Sequence, residues 1–317
     1  MIKKIIIICS VVFVVSVICF FGSLLASGDD GIYKIYNIDD ESSYPLENIE
    51  MINIESTIAD ISFYIESERS DILVKYHGYV KCLMCKEPKR MQSAKNNSEL
   101  SFKARQKLIQ VGLGMTTRLK LDVYIPQTYI HAIDVNSTSG DIYLNGMSLD
   151  GLYLSSLSGK ISLNDLTINK GKITITSGEV ELSDFTVNDE LKLSITSGEV
   201  NIDNFHGNLD YSSLSGELEV KGFNGNFTGR SRSGDIELEV VGSTYEIDIN
   251  VTSGDVDLYI KEKDFSFVID VTSGDIDIHF NYETLGGNDS YHYKRGKVGN
   301  GTNTVSIKAT SGDIDLK

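Results

Sequence analysis

A Ser-Gly pair, flanked on both sides by alternating apolar residues, recurs nine times between residue 135 and residue 317. Its glycines are Gly140, Gly159, Gly178, Gly198, Gly216, Gly234, Gly254, Gly274 and Gly312, at intervals of 19, 19, 20, 18, 18, 20, 20 and 38 residues. A period held that closely marks one supersecondary unit stacked on copies of itself, since a unit of this size buries its apolar face only against its neighbours. The last interval is two periods long. It predicts that one coil has been replaced by an excursion ahead of the final turn.

Two and four residues beyond each glycine the chain is apolar in all nine copies, from Ile142 and Leu144 to Ile314 and Leu316. Period-two alternation rich in β-branched residues describes a strand with one buried face. The positions between, among them Glu181, Glu219, Glu237, Asp257, Asp277 and Asp315, then face water. Five residues before the glycine the apolar position returns as Val135, Leu154, Ile173, Leu193, Ile249, Ile269 and Ile307, with Tyr211 as a variant and Gly229 as a break. Inward parity changes across the Ser-Gly pair, so the chain bends there, and glycine supplies the positive φ that such a bend takes.

The expected architecture is all-β, a parallel β-helix-like β-solenoid of ~19-residue coils after an N-terminal transmembrane helix. With strands about 4.8 Å apart, nine or ten coils make a rod of roughly 45 Å. An antiparallel sandwich is the alternative, because short strands with frequent turns also suit it. Ninefold repetition assigns the turn serines to structure, and no Gly-x-Ser-x-Gly nucleophile elbow is present.

Ile5 to Leu25 form an uncharged, mainly apolar run of 21 residues behind Lys3 and Lys4, closed by Asp29 and Asp30. That length spans a bilayer core and exceeds the core of a usual signal peptide. Residues 1–28 therefore read as a single-pass anchor, with the lysines holding the N-terminus in the cytoplasm and the rest outside the cell membrane. Ala26-Ser27-Gly28 is a weak cleavage site, so a signal peptide stands as the alternative. Residues 29–50 read as a polar stalk and 51–317 as one solenoid domain, with an irregular first lobe at 51–134 and regular coils at 135–317. In that lobe Ile52, Ile54, Ile61 and Phe63 reproduce the coil pattern, with Ala59 at the glycine position.

Charge is divided along the chain. Beyond residue 28 there are 27 Lys and Arg against 45 Asp and Glu, a net of −18, yet residues 75–120 carry 11 basic residues against Glu87 and Glu99, a net of +9. A basic lobe thus precedes an acidic rod. Lys86, Lys89, Arg90, Lys95, Lys103 and Arg105 are candidates to meet an anionic partner such as lipid headgroups or wall polymer, while the acidic remainder argues against nucleic acid. The residue after the turn glycine is acidic in eight of nine coils, and Asp235, Asp255, Asp275 and Asp313 form a weak candidate ladder for a divalent cation. The excursion before the last turn carries an aromatic and basic cluster with Tyr291, His292, Tyr293 and Arg295, a candidate binding loop. Cys82 and Cys85 have spacing for a local disulfide, two free thiols or half a zinc site. No second half-site and no cofactor motif accompanies them. The five histidines are scattered, and the acidic residues recur as repeat elements without one pair standing out, so catalysis is not expected.

Three stretches together resemble the bacterial adhesin-like family called Toastrack: Ile54-Glu55-Ser56-Thr57-Ile58-Ala59-Asp60-Ile61, Val123-Tyr124-Ile125-Pro126, and the iterated Thr-Ser-Gly-Asp-Ile-Asp-Leu unit. The closing stretch, with Gly286-Gly287 and Asn300-Gly301 ahead of Ser306 to Asp313, looks like that family's ending. The anchored arrangement is similar to LiaG-like proteins of the Gram-positive envelope-stress system. The resemblance covers roughly residues 50 to 317. It implies an extracytoplasmic β-solenoid without known catalytic residues, and it carries over no ligand site. The function expected is a non-catalytic cell-envelope protein that binds or scaffolds, with envelope-stress membrane proteins among its partners. A surface adhesin and a carbohydrate-active β-helix enzyme are the alternatives.

Overall fold

The computed structural model describes residues 13–17, 33–83, 87–106, 116–286 and 290–317. Its strands pair in parallel at the offset of the sequence repeat. Ala132–Ser137 lies along Gly151 to Ser156, Phe227–Ser233 along Leu209 to Ser215, and Ile236–Val240 along Val256–Ile260. Parallel ladders at these offsets exclude the antiparallel sandwich and leave the solenoid. Ile142–Asn224 is a single extended run of 83 residues that winds past Gly159, Gly178, Gly198 and Gly216.

The doubly apolar positions after each turn form the continuous core. Of the eighteen, only Ile278, in an outermost coil, is not fully buried. The turn glycine is required on two counts, as Gly198 shows. Its φ is +131°, and a Cβ there would stand 1.9 Å from the carbonyl oxygen of Gly178 in the coil beneath. A second corner follows six residues later at Gly146, Asp165, Asp184, Asn204 and Gly222, all with φ between 50° and 69°. Gly, Asn and Asp are the residue types that tolerate this region. Beside this corner Phe185, Phe205 and Phe223 are buried and stacked at centroid separations of 5.9 and 5.6 Å. Gly229, the break in the inward row, makes room for Phe227, whose ring would lie 2.6 Å from a Cβ at that position.

The ends depart from sequential stacking. Asn303–Ser311 pairs with Glu246–Ser253 on one side and Phe265–Ser273 on the other, and Ile314–Leu316 sits likewise between Val256–Ile260 and Ile276–Ile278. The turns therefore stack in the order Gly254, Gly312, Gly274. The long interval before Gly312 is a reversal rather than a replaced coil. Its strand Tyr293–Val298 runs antiparallel to Phe265–Asp270 and closes that end, while the chain returns to insert between two earlier coils.

The first coil behaves in the same way. Met51–Ser56 lies between Ala132–Ser137 and Glu99–Ala104, and Asp60–Glu66 between Thr116–Pro126 and the start of the long run at Ile142. Ala59 accordingly stands under Gly140 in the stack of turns. Antiparallel strands Asp71–Leu83, Tyr33–Pro45 and Gln92–Asn96 close this end. Of the segment expected as a polar stalk, residues 33–50 are thus packed on the rod, and residues 29–32 lie outside the described residues. Tyr33–Pro45 pairs along all 13 residues with Asp71–Leu83, and Ile38 and Ile49 are buried. Its polar composition reflects an outermost strand with one side in water. Of the apolar run, residues 13–17 are described and helical. Among the described residues no helix is long and apolar enough to cross a membrane.

Candidate functional site

The acidic row beside the turns connects successive coils. Asp60 Oδ1 accepts the amide N–H of Asp141 at 3.1 Å, and Asp141 Oδ1 that of Lys160 at 2.9 Å. At the other end Asp235 Oδ1 accepts from Asp255 at 2.8 Å, Asp255 Oδ1 from Asp313 at 2.8 Å, and Asp313 Oδ1 from Asp275 at 2.9 Å. Each carboxylate therefore meets an N–H dipole of the neighbouring coil, which offsets the repulsion expected along a row of like charges. In the middle coils the row is Glu179, Glu199 and Glu217, and Lys160 Nζ reaches Glu179 at 3.3 Å while also pairing with Glu181. Those contacts hold the Glu181 carboxyl below its ordinary range, the hydrogen bond from Lys160 being the main cause. Of the cation ladder, Asp235, Asp255 and Asp313 have their carboxylates engaged on backbone, while Asp275 supplies the amide N–H that Asp313 accepts. Among the described residues no group of three or more His, Cys, Asp or Glu is placed to hold a metal ion.

The basic candidates are distributed around the strands that close the first end. Lys103 and Arg105 both pair with Glu55, the former at 3.3 Å. Arg90 Nη1 meets Asp40 Oδ1 at 3.0 Å, and Lys95 Nζ donates to the carbonyl of Glu47 at 3.0 Å. Lys89 is exposed. Lys86 lies outside the described residues, as does Cys85; Cys82 is fully buried and disulfide-bonded. The loop candidates are largely strand. Tyr293 and Arg295 belong to Tyr293–Val298, and His292 Nδ1 lies 3.0 Å from the carbonyl of Gly274, leaving Tyr291, 83% exposed, as the outlying member.

Residues 49–317 match the family described as Toastrack DUF4097. The chain belongs to the Toastrack family. Solved structures similar to it are described as putative adhesion proteins. The one from Clostridium sporogenes is 12% identical, covering 89% of this chain and 99% of its own, with a TM-score of 0.25. An adhesin of that description from Bacteroides fragilis is 14% identical, with coverage of 90% and 97% and a TM-score of 0.29. Another, from Parabacteroides merdae, is 9% identical, with coverage of 87% and 96% and a TM-score of 0.31. No curated protein matches the chain.

On the outward side of its post-turn strands this Toastrack protein carries shallow concavities of two kinds. Two in the rod are mainly acidic: one of 470 Å³ is lined by Glu181, Glu199, Asp203 and Glu219 with Lys221, and one of 270 Å³ by Glu217, Asp235, Glu237, Asp255 and Asp257. A third, of 680 Å³ near the first end, is lined by Ser62, Tyr64, Tyr143, Asn145, Ser162 and Asn164 and has no charged residue in its lining. Tyr64 and Tyr143 are 44% and 40% exposed there. Tyr64 stacks on Tyr124 at 5.1 Å with an interplanar angle of 22°. Sequence reasoning did not find this cluster, because the tyrosines come from three distant segments. The signal present was a large aromatic at an outward position of an otherwise polar alternation, as in Ser62-Phe63-Tyr64 and Ile142-Tyr143-Leu144.

Proposed function

We propose that this Toastrack protein is a non-catalytic binding scaffold of the cell envelope, displayed outside the membrane on an anchor formed by residues 1–28 and serving the response to envelope stress. The observation that best supports a non-catalytic role is the use of the repeated carboxylates. A pair of carboxylates that works as acid and base sits in two contrasting environments. Here Asp60, Asp141, Asp235, Asp255 and Asp313 share one environment, each accepting an amide from the next coil. The charge step from Lys3 and Lys4 to Asp29 and Asp30 supports the orientation. The basic residues around the first end favour anionic lipid or wall polymer as a contact. Full-length protein is expected in the membrane fraction and to be digested from outside on wall-stripped cells. A mature N-terminus at Asp29 in the medium would overturn the anchored reading in favour of a secreted adhesin.

A further inference from the structure

We propose that the groove flanked by Tyr64 and Tyr143 binds a neutral oligosaccharide of pyranose units with equatorial hydroxyls. The inference gives the binding role above a ligand class, and its chemistry does not depend on where the rod is displayed.

The lining selects the ligand by what it contains and omits. In a chain with 29 basic and 45 acidic residues, a 680 Å³ concavity lined without a charge offers an ionic ligand no counter-charge. A purely apolar ligand would cover the hydroxyls of Ser62 and Ser162 and the amides of Asn145 and Asn164 without replacing their hydrogen bonds to water. A pyranose satisfies both parts of the surface. Its axial C–H face packs on an aromatic ring, while its equatorial hydroxyls meet hydroxyl and amide groups at the ring's edge. The volume lies within the range of small-ligand clefts, about 300–1,000 Å³.

The rings are also held before any ligand arrives. Tyr124, on which Tyr64 stacks, has the Arg69 guanidinium and the Lys75 ammonium each 5.8 Å from its ring centroid. Arg69 is fixed in turn by Glu66 and Asp71, both at 2.7 Å. Tyr143 donates its hydroxyl to Asp141 Oδ2 at 2.9 Å, while the other oxygen of that carboxylate accepts the Lys160 amide. Burial, followed by that bond to Asp141, pushes the Tyr143 hydroxyl up to about 12, so it remains a neutral donor at any physiological pH. Side chains immobilised in advance lose little entropy on binding. Register brings the cluster together, with Tyr64 opposite Tyr124 and Ser62 opposite Tyr143.

The test uses the full chain in lipid nanodiscs, free of glycoside detergent, titrated with cellotetraose and chitotetraose; tetragalacturonate serves as the anionic control. Binding is read by calorimetry against empty nanodiscs. A neutral tetraose is expected to bind saturably, with affinity reduced about tenfold or more by Tyr64→Ala and by Tyr143→Ala. Tyr64→Phe keeps the stacking face and should retain binding, and Glu181→Gln, in the acidic concavity, should leave it unchanged. Saturation-transfer NMR on the unmodified protein supplies a readout independent of how the variants fold: irradiating tyrosine ring protons should label the axial C–H protons of the sugar. Absence of saturable binding by either neutral tetraose, binding indifferent to both alanine substitutions, or preference for tetragalacturonate would each overturn the site. Any of these results would leave the membrane and protease outcomes above untouched.

Discussion

Between Gly159 and Gly216 each coil rests on the coil that precedes it in sequence, whereas at both ends the neighbour in space is not the neighbour in sequence. The first coil, at 51–66, lies inside the later segment 99–126, and the last, at 303–316, lies inside the earlier segment 265–278. The two ends mirror each other: an interposed coil, an outer coil, then antiparallel closure. A middle coil needs only contacts to the units above and below. An outermost coil would present an open parallel edge, which templates pairing with other chains. The antiparallel strands remove most of that edge. The turn row differs accordingly. The middle coils have glutamate, and the coils towards the ends have aspartate, short enough to grip the next amide.

The largest contrast lies in the core. Val200→Asp, at a fully buried middle position, is expected to abolish the folded rod, a loss above about 4 kcal/mol, read by circular dichroism. Ile278→Asp, on the half-buried outer edge, should instead increase hydrogen exchange only around residues 265–280. Equal effects would contradict the distinction between middle and end.

Turn geometry comes next. Gly198→Ala forces a side chain onto φ +131° against the Gly178 carbonyl and is expected to cost on the order of 3 kcal/mol. Gly216 is the one turn glycine without a positive φ, and its Cβ would stand 2.9 Å from the carbonyl below. Gly216→Ala should therefore cost measurably less in denaturant unfolding.

A smaller effect belongs to the aspartate row. Asp255→Ala removes the acceptor of the Asp313 amide and should cost about 1 kcal/mol, with exchange rising at the interposed coil. Asp255→Asn keeps an oxygen in place and should be tolerated, and Glu217→Ala in the middle should be nearly neutral.

The smallest effect is a pH dependence confined to the far end. Asp264 accepts the N–H groups of Asn300 and Gly301 at 2.6 and 2.8 Å and the Thr302 hydroxyl at 3.0 Å. These bonds, that from the Thr302 hydroxyl foremost, hold its carboxyl below the ordinary range. A depressed folded value means the stabilisation is complete above the unfolded pKa of about 3.9 and is lost as pH falls through the lower folded value. Melting curves taken below about pH 4 should show Asp264→Asn losing its difference from the parent protein.

The middle of the rod was legible because one apolar alternation and one glycine specify each coil, and Ala59 was readable as a turn even without the glycine. The second corner was missed because Gly146, Asp165, Asn204 and their equivalents share a backbone conformation without sharing an identity. The interposed coils were invisible for a stronger reason. A repeat identifies which segments are equivalent, but not which of them are adjacent. The tyrosine cluster depends on that same adjacency, since Tyr64, Tyr124 and Tyr143 meet only through the pairing of the first coils. The sequence offers the carboxylate ladder as a weak candidate for a divalent cation, and its attachment to backbone amides appears only when successive turns are seen in register.

The interposed last coil also sets an order of events. As the chain is synthesised, the coils of Gly254 and Gly274 emerge before the strand that separates them, and if they pair directly they form a non-native ladder of the same repeat. The native arrangement requires the segment from 265 to 298 to remain displaced until residues 303–316 arrive. The last three coils are therefore expected to fold as one late cooperative unit, whereas the middle can grow one coil at a time.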